Sequence, residues 1–184
     1  MPNQSKISAL VINLDTAKER WDFQQKQLAK LGIGYQRWEA NAVDTLTDDE
    51  YEKWANDWQR KLRRTEVACF LSHYRAWQYI ADSGQAFLIL EDDALLSQDL
   101  PNVLLKLSTD NDIKYHHLTF ETRGRKKLMS KQGANLCDGI ALHELFLDKT
   151  GAAAYLLTPI GAKKHAVCTR ARHPNGYGDA LWYA

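Results

Sequence analysis

The 184-residue sequence is poor in cysteine and has no long apolar run. Its three cysteines, at positions 69, 137 and 168, are widely separated and form no CxxC pair or other zinc-type spacing, which indicates a reduced, cytoplasmic protein. The apolar stretch before Asp15 is too short for a signal peptide, and no run reaches the roughly 18 apolar residues of a membrane span. We therefore expect a cytoplasmic protein with at most peripheral membrane contact.

Two further absences exclude whole classes of function. Lysine and arginine total 24 against 23 acidic residues, so no overall charge attracts the chain to nucleic acid. The sequence contains neither GxxxxGK[ST] nor GxGxxG, which argues against a nucleotide triphosphatase and a dehydrogenase. Two local basic runs, 60–64 and 123–127, are more typical of a solvated surface than of a phosphate-binding patch.

The remaining composition predicts one α/β domain over residues 1–184. Apolar residues make up 45% of the chain, which is enough for a single core. Helices are predicted at 16–31, 47–62, 65–83, 100–107 and from 159 onward. The starts of three of them have local signals: a capping box of Thr47 and Glu50, Thr65 as a cap, and Thr158-Pro159. Strands are predicted at 7–14, 35–39, 86–90, 117–120, 142–147 and 152–157, with a polar loop over 122–139. This alternation favours a mixed central sheet that is mostly parallel in its first half.

An acidic run stands directly after the most apolar of these strands. Glu91, Asp92 and Asp93 follow the run 86–90, at the carboxyl end where open α/β sheets bind ligands. Three like charges repel each other, and a divalent cation with oxygen ligands, Mg²⁺ or Mn²⁺, would relieve that repulsion. The alternative is a solvated acidic turn without a metal.

The block that leads into this acidic run resembles family 25 glycosyltransferases, the bacterial lipooligosaccharide galactosyltransferases and their collagen-modifying relatives. The matching features are Glu66, Ser72-His73, Trp77 and the strand 87–90 that runs into Glu91–Asp93. Weaker matches are 11–15 with Arg20, and 151–155. The resemblance implies a GT-A type, Rossmann-like nucleotide-sugar-binding domain. It also implies a UDP-sugar donor, most often UDP-galactose, and inversion at the anomeric carbon. The acceptor would be a hydroxyl of a lipooligosaccharide or lipopolysaccharide glycan, at the inner face of the bacterial inner membrane.

The resemblance also implies roles for individual residues. Glu91 and Asp93 would hold the metal against the donor diphosphate. Residues placed near the donor are Leu14, Asp15, Arg20, Ser72, His73 and Asp92. A histidine on a helix rich in tryptophan and tyrosine is equally typical of a hydrogen-bonded packing position, so both interpretations of His73 stay open.

An inverting transfer needs a base for the acceptor proton, and Asp179 and Glu121 are the two candidates. Relatives usually continue beyond this point with an acidic residue near a proline, and here only Pro174 and Asp179 match. We therefore expect the chain to lack a C-terminal portion, and to bind donor but transfer sugar poorly. Two other functions remain open: nucleotidyl or phosphoryl transfer with the same acidic cluster, and a catalytically silent nucleotide-sugar-binding module.

Overall fold

The computed structural model describes residues 6–56, 60–109, 115–121, 126–137, 139–147 and 151–172, with side chains as far as Val167. The strands are β1 (Ser8–Asn13), β2 (Tyr35–Glu39), β3 (Phe87–Glu91), β4 (His117–Thr119), β5 (Leu128–Met129), β6 (Ala134–Cys137), β7 (Ile140–Leu142), β8 (Leu145–Leu147) and β9 (Ala154–Leu157). The helices are α1 (Lys18–Leu31), α2 (Asp48–Trp54), α3 (Arg64–Ser83), α4 (Leu100–Thr109) and α5 (Pro159–Arg172). No helix in these ranges is long and apolar enough to cross a membrane.

A mixed sheet of five strands, in the order β2-β1-β3-β9-β4, forms the centre of the fold. The pairs β1–β2 and β1–β3 are parallel, whereas β9 runs antiparallel to both β3 and β4. The prediction of an α/β domain whose sheet is mostly parallel in its first half is therefore confirmed. Because β4 is antiparallel to β9, it points the same way as β1 and β3, and all three strands end at the same edge of the sheet.

Helices cover both faces of this sheet. On one face α2, α3 and α5 pack in a core that includes Leu10 and Ile89. On the other, α1, α4 and part of β6 pack with Val11 and Leu90. Side chains alternate between the two faces along each strand, so strands buried on both faces give the unbroken apolar runs seen in the sequence.

Most predicted elements lie within one or two residues of the observed ones, but the helix predicted over 47–62 is wrong in its second half, because α2 ends at Trp54 and Asn56 forms a β-bridge with Lys61. The predicted capping box of α2 is confirmed, because the Thr47 hydroxyl accepts the Glu50 N–H while the Glu50 carboxylate accepts the Thr47 N–H. The prediction that Thr65 caps α3 is wrong. The helix begins one residue earlier, and the carboxylate of Glu66 accepts the backbone N–H of Arg63 at 2.7 Å.

The segment 126–147 differs most from the predictions. Within the predicted loop 122–139, β5 and β6 are present, and the predicted single strand 142–147 is divided between β7 and β8. These strands pair as two small sheets, β5–β8 and β6–β7. Each strand has only two to four residues, which is too short for alternation to appear in the sequence.

The order of the first three strands determines where a ligand can bind. From β1 the chain passes to β2 on one side and then returns to β3 on the other side of β1. The strand order therefore reverses at β1, with α1 and α3 on opposite faces of the sheet, and in open α/β sheets such a reversal marks a ligand crevice beyond the carboxyl ends of the strands. Asn13 ends β1 and Glu91 ends β3, so the predicted acidic site stands at this crevice.

Candidate functional site

Strand alternation separates the three carboxylates of the acidic run. Glu91 continues the face of Phe87 and Ile89, where α3 packs, and Asp92 lies toward the opposite face, where α1 packs. Asp93 is exposed. The run therefore provides three carboxylates in three different environments.

Asp92 is buried and held by two polar partners. Its Oδ1 lies 2.8 Å from Nη1 of Arg20, and its Oδ2 accepts a 2.7 Å hydrogen bond from Nδ2 of Asn13. Burial raises the pKa of Asp92, while the Asn13 hydrogen bond and the Arg20 charge act in the opposite direction. About half of the Arg20 side chain stays exposed (51%), so Asp92 fixes a guanidinium that still faces the crevice.

Asn13 extends this network to β2. Its Oδ1 accepts a 2.9 Å hydrogen bond from Nε of Arg37, and Nη1 of Arg37 lies 3.0 Å from Oδ1 of Asp15. Asp15 is largely exposed, and Leu14 is half-buried beside it. The structure thus brings Leu14, Asp15, Arg20 and Asp92 together at the ends of β1 and β3.

Glu91 contacts a buried polar chain on the α3 face. Its Oε1 lies 3.5 Å from Nε2 of His73, whose Nδ1 lies 2.9 Å from the hydroxyl of Tyr155. Nε1 of Trp77 donates to the same hydroxyl at 2.7 Å. Burial raises the pKa of Tyr155, so the phenol stays protonated. His73 is fully buried and hydrogen-bonded, as its packing interpretation requires; its place near the donor stays a prediction.

Ser72 has a different environment from its neighbour. Its hydroxyl donates to the carbonyl of Ala68 and accepts the N–H of Asn41, both at 2.8 Å. These contacts attach α3 to the segment that follows β2. A direct contact between Ser72 and the donor stays a prediction.

Two groups of side chains at the end of β3 have the chemistry to hold a metal. Glu91 and Asp93 offer carboxylate oxygens, and both are partly or fully exposed, so they fit the hard cations Mg²⁺ and Mn²⁺. A second group, formed by Cys69, His73 and Glu91, has one ligand atom of each residue within 4.8 Å of the others. Partial burial of its sulfur and the carboxylates of Glu91 and Asp93 raise the pKa of the Cys69 thiol to about 12.

Glu121 follows β4 and therefore lies at the same edge of the sheet. Its Oε2 accepts the backbone N–H of Ala153 at 3.2 Å, and its carboxylate lies against Gly151, where a Cβ would overlap that oxygen. Gly151 also has a φ of +92°, so glycine is required there for two reasons. The other candidate base, Asp179, lies outside the described residues.

A cavity of about 1330 Å³ adjoins Glu121. It lies between β4, α4 and the two small sheets, and residues 91–93 are not part of its wall. Much of the wall is apolar; the polar side chains include His116, Lys127 and Glu144. Glu121 therefore borders this cavity, at the same edge of the sheet where the acidic run lies.

Comparisons with known proteins identify the family of this chain. The model of glycosyltransferase family 25 (LPS biosynthesis protein) matches residues 6–171. The chain belongs to this glycosyltransferase family, and the resemblance inferred from the acidic block is confirmed.

Individual relatives are more distant. The chain is 27% identical over 164 residues to lipooligosaccharide biosynthesis protein lic2B of Haemophilus influenzae, covering 84% of this chain and 60% of that protein. It is 27% identical over 132 residues to procollagen galactosyltransferase 2 of Mus musculus, covering 66% of this chain and 21% of that protein. The chain thus spans less than two thirds of either relative.

Sequence reasoning missed four residues that the structure places around residues 91–93. Asn13 and Arg37 depend on the register between β1 and its neighbours, which no local pattern encodes. Tyr155 was noted only as part of a strand. Cys69 had a visible signal, because it precedes His73 by four residues on a predicted helix and such pairs share a face. These four are Asn13, Arg37, Cys69 and Tyr155.

Proposed function

We propose that this chain transfers a sugar, most simply galactose, from a UDP-sugar to a hydroxyl of a lipooligosaccharide or lipopolysaccharide glycan. We further propose a GT-A type domain, a requirement for Mn²⁺ or Mg²⁺, and inversion at the anomeric carbon. The observation that carries the proposal is the gathering of Asp15, Arg20 and Glu91–Asp93 at the carboxyl ends of β1 and β3. That edge is where the topology opens a ligand crevice.

The donor diphosphate would lie over the ends of β1 and β3. Arg20, fixed by Asp92, and Arg37, fixed by Asn13 and Asp15, direct positive charge toward that position. Glu91 and Asp93 would hold the metal from the protein side. A bound divalent metal supplies Lewis-acid stabilisation of the negative charge on the departing nucleoside diphosphate. Arg20 and Arg37 would add to this stabilisation of the departing nucleoside diphosphate.

Glu121 is the described candidate for the base. It follows β4, which lies two strand positions away from β3, and neighbouring strands are about 4.8 Å apart, so the two strand ends are separated by about 10 Å. That distance leaves room for a sugar ring between the metal-holding carboxylates and the base. In the proposal, the carboxylate of Glu121 takes the proton of an acceptor hydroxyl that enters from the 1330 Å³ cavity. Asp179 stays the second candidate.

A panel of nucleotides measured by thermal shift tests this function. A ligand that binds only the folded chain raises the melting temperature by mass action. We expect UDP-galactose and UDP to raise it in the presence of Mn²⁺, and ADP, GDP and plain triphosphates to do so far less. A nucleotidyl- or phosphoryl-transfer enzyme would instead respond to triphosphates. No response to any UDP compound, with or without Mn²⁺, would contradict the proposal.

A further inference from the structure

Cys69, His73 and Glu91 bring sulfur, nitrogen and oxygen together at the end of β3. Cys69 and His73 are four residues apart on α3, so they lie one above the other on a single face of the helix. That face packs against the sheet where Glu91 ends its strand. Sγ of Cys69 lies 3.9 Å and Nε2 of His73 lies 3.5 Å from Oε1 of Glu91.

These separations are close to those of a tetrahedral zinc site. Zinc binds cysteine sulfur at about 2.3 Å and histidine nitrogen or carboxylate oxygen at about 2.0–2.2 Å. In a regular tetrahedron such bonds put nitrogen and oxygen about 3.4 Å apart, and sulfur and oxygen about 3.6 Å apart. Both separations from Oε1 of Glu91 are within a few tenths of an ångström of these values, and the three ligand atoms all lie within 4.8 Å of one another.

The surroundings of His73 suit a metal ligand. The hydroxyl of Tyr155 holds Nδ1 at 2.9 Å, and a hydrogen bond at one ring nitrogen commonly orients a histidine that binds metal through the other. The phenol oxygen has two lone pairs, so it accepts from Trp77 and from Nδ1–H together. In that tautomer Nε2 presents its lone pair to the side where Cys69 and Glu91 lie.

We propose that Cys69, His73 and Glu91 form a three-ligand zinc site, and that zinc bound there withdraws Glu91 from the donor's metal. A thiolate and an imidazole favour zinc, whereas Mg²⁺ and Mn²⁺ favour oxygen ligands alone. The thiol proton leaves to solvent as the sulfur–zinc bond forms. Three protein ligands leave the fourth position of the metal open. The inhibitory part of this proposal rests on the proposed function; the binding part does not.

Titrations of the purified chain with Zn²⁺ and with Co²⁺, without nucleotide, test the binding. We expect one zinc per chain, and a thiolate-to-cobalt charge-transfer absorption when Co²⁺ replaces it. We expect Cys69→Ser to abolish that absorption and to lower the affinity for zinc at least about 100-fold. This factor is the upper end of the loss caused by removing an outer hydrogen-bond partner of a metal ligand. Cys137→Ser removes a thiol from β6 and serves as the matched control. The proposed site is wrong if the wild type shows no cobalt–thiolate band, or if the band persists in Cys69→Ser.

Because Cys69 is exposed, its replacement by serine puts little packing at risk, and a melting curve verifies the fold of each variant. Glu91→Gln removes a second ligand independently, and we expect it to lower the affinity for zinc as well.

Competition between zinc and the donor's metal is tested by measuring Mn²⁺-dependent UDP affinity with and without Zn²⁺. Each variant is compared with its own zinc-free value. We expect zinc to lower the affinity for UDP in the wild type and in Cys137→Ser but not in Cys69→Ser. Equal effects in all three would refute the competition. Failure of UDP to bind at all would instead refute the proposed function.

Discussion

His117 makes the stability of this chain sensitive to mild acid. It lies on β4 with its Nδ1 2.8 Å from Nε2 of His165 on α5, and its ring packs against Tyr155 with centroids 5.0 Å apart. Burial and the neighbouring His165 lower the pKa of His117 to about 3. Burial also lowers the pKa of His165. Both rings are therefore neutral in the folded chain at neutral pH.

The sign of the effect follows from the direction of these shifts. The unfolded chain takes up a proton on His117 near the ordinary histidine pKa of 6.5, whereas the folded chain does so only near 3. The stability that His117 confers is complete above pH 6.5 and falls as the pH drops toward 3. Each pH unit in that window costs up to about 1.4 kcal/mol per histidine. Between pH 6.5 and 5.0 the loss from His117 alone approaches about 2 kcal/mol, a large part of the 5–15 kcal/mol typical of a domain.

Urea denaturation at pH 7 and pH 5 measures this loss. His117→Gln keeps an amide that can donate to His165 but takes up no proton. We therefore expect its unfolding free energy to fall less from pH 7 to pH 5 than that of the wild type. His143 is exposed, with its Nδ1 2.9 Å from the carbonyl oxygen of Ser130, and His143→Gln is the control for replacing a histidine outside the His117–His165 pair. If wild type and His117→Gln lose the same free energy on acidification, the proposed source of acid sensitivity is wrong.

Two other substitutions have outcomes that the contacts determine. Tyr155→Phe removes the partner of both Trp77 and His73. We expect it to lower the unfolding free energy by about 1–3 kcal/mol, because two buried groups lose their hydrogen bond. We also expect weaker Mn²⁺-dependent UDP binding in a titration. Unchanged stability would show that the hydroxyl is dispensable. Hydrogen bonds from Arg60 and from the Arg63 backbone lower the pKa of Glu66 to about 2, so its stabilising effect is present above its usual pKa near 4.5 and is lost as the pH falls toward 2. We expect Glu66→Gln to lower the unfolding free energy at pH 7 by about 0.5–1 kcal/mol, as for an exposed helix cap, and by less at pH 3. A difference that grows in acid would refute this role.

The sequence predicted the elements with strong local signals. The uninterrupted apolar runs of β1 and β3, the capping box at Thr47 and the Thr158–Pro159 start of α5 all appear close to where they were expected. The short strands between residues 128 and 147 did not, because two to four residues carry too little pattern. Helix α3 started at a different residue because Glu66, not Thr65, supplies its cap.

For the site, the sequence predicted an acidic run at the end of a strand but not the partners of each carboxylate. Only the folded chain shows Asp92 joined to Asn13 and Arg20 while Glu91 faces His73. The contact between Asn13 and Asp92 joins residues 79 positions apart, so no local spacing predicts it. The placement of Glu121 likewise depends on β4 running parallel to β3 through an antiparallel neighbour.

Calorimetric titration of UDP in Mn²⁺ into Asp93→Asn tests the central claim most directly. The variant removes one carboxylate from the proposed metal site at an exposed position, so we expect its melting temperature to stay near that of the wild type. Asp82→Asn removes the same charge from an exposed position in the last turn of α3, about 20 Å along the helix from Cys69, and is the matched control. We predict that Mn²⁺-dependent UDP binding is lost in Asp93→Asn and kept in Asp82→Asn. UDP binding by Asp93→Asn with unchanged affinity and unchanged Mn²⁺ dependence would contradict the account.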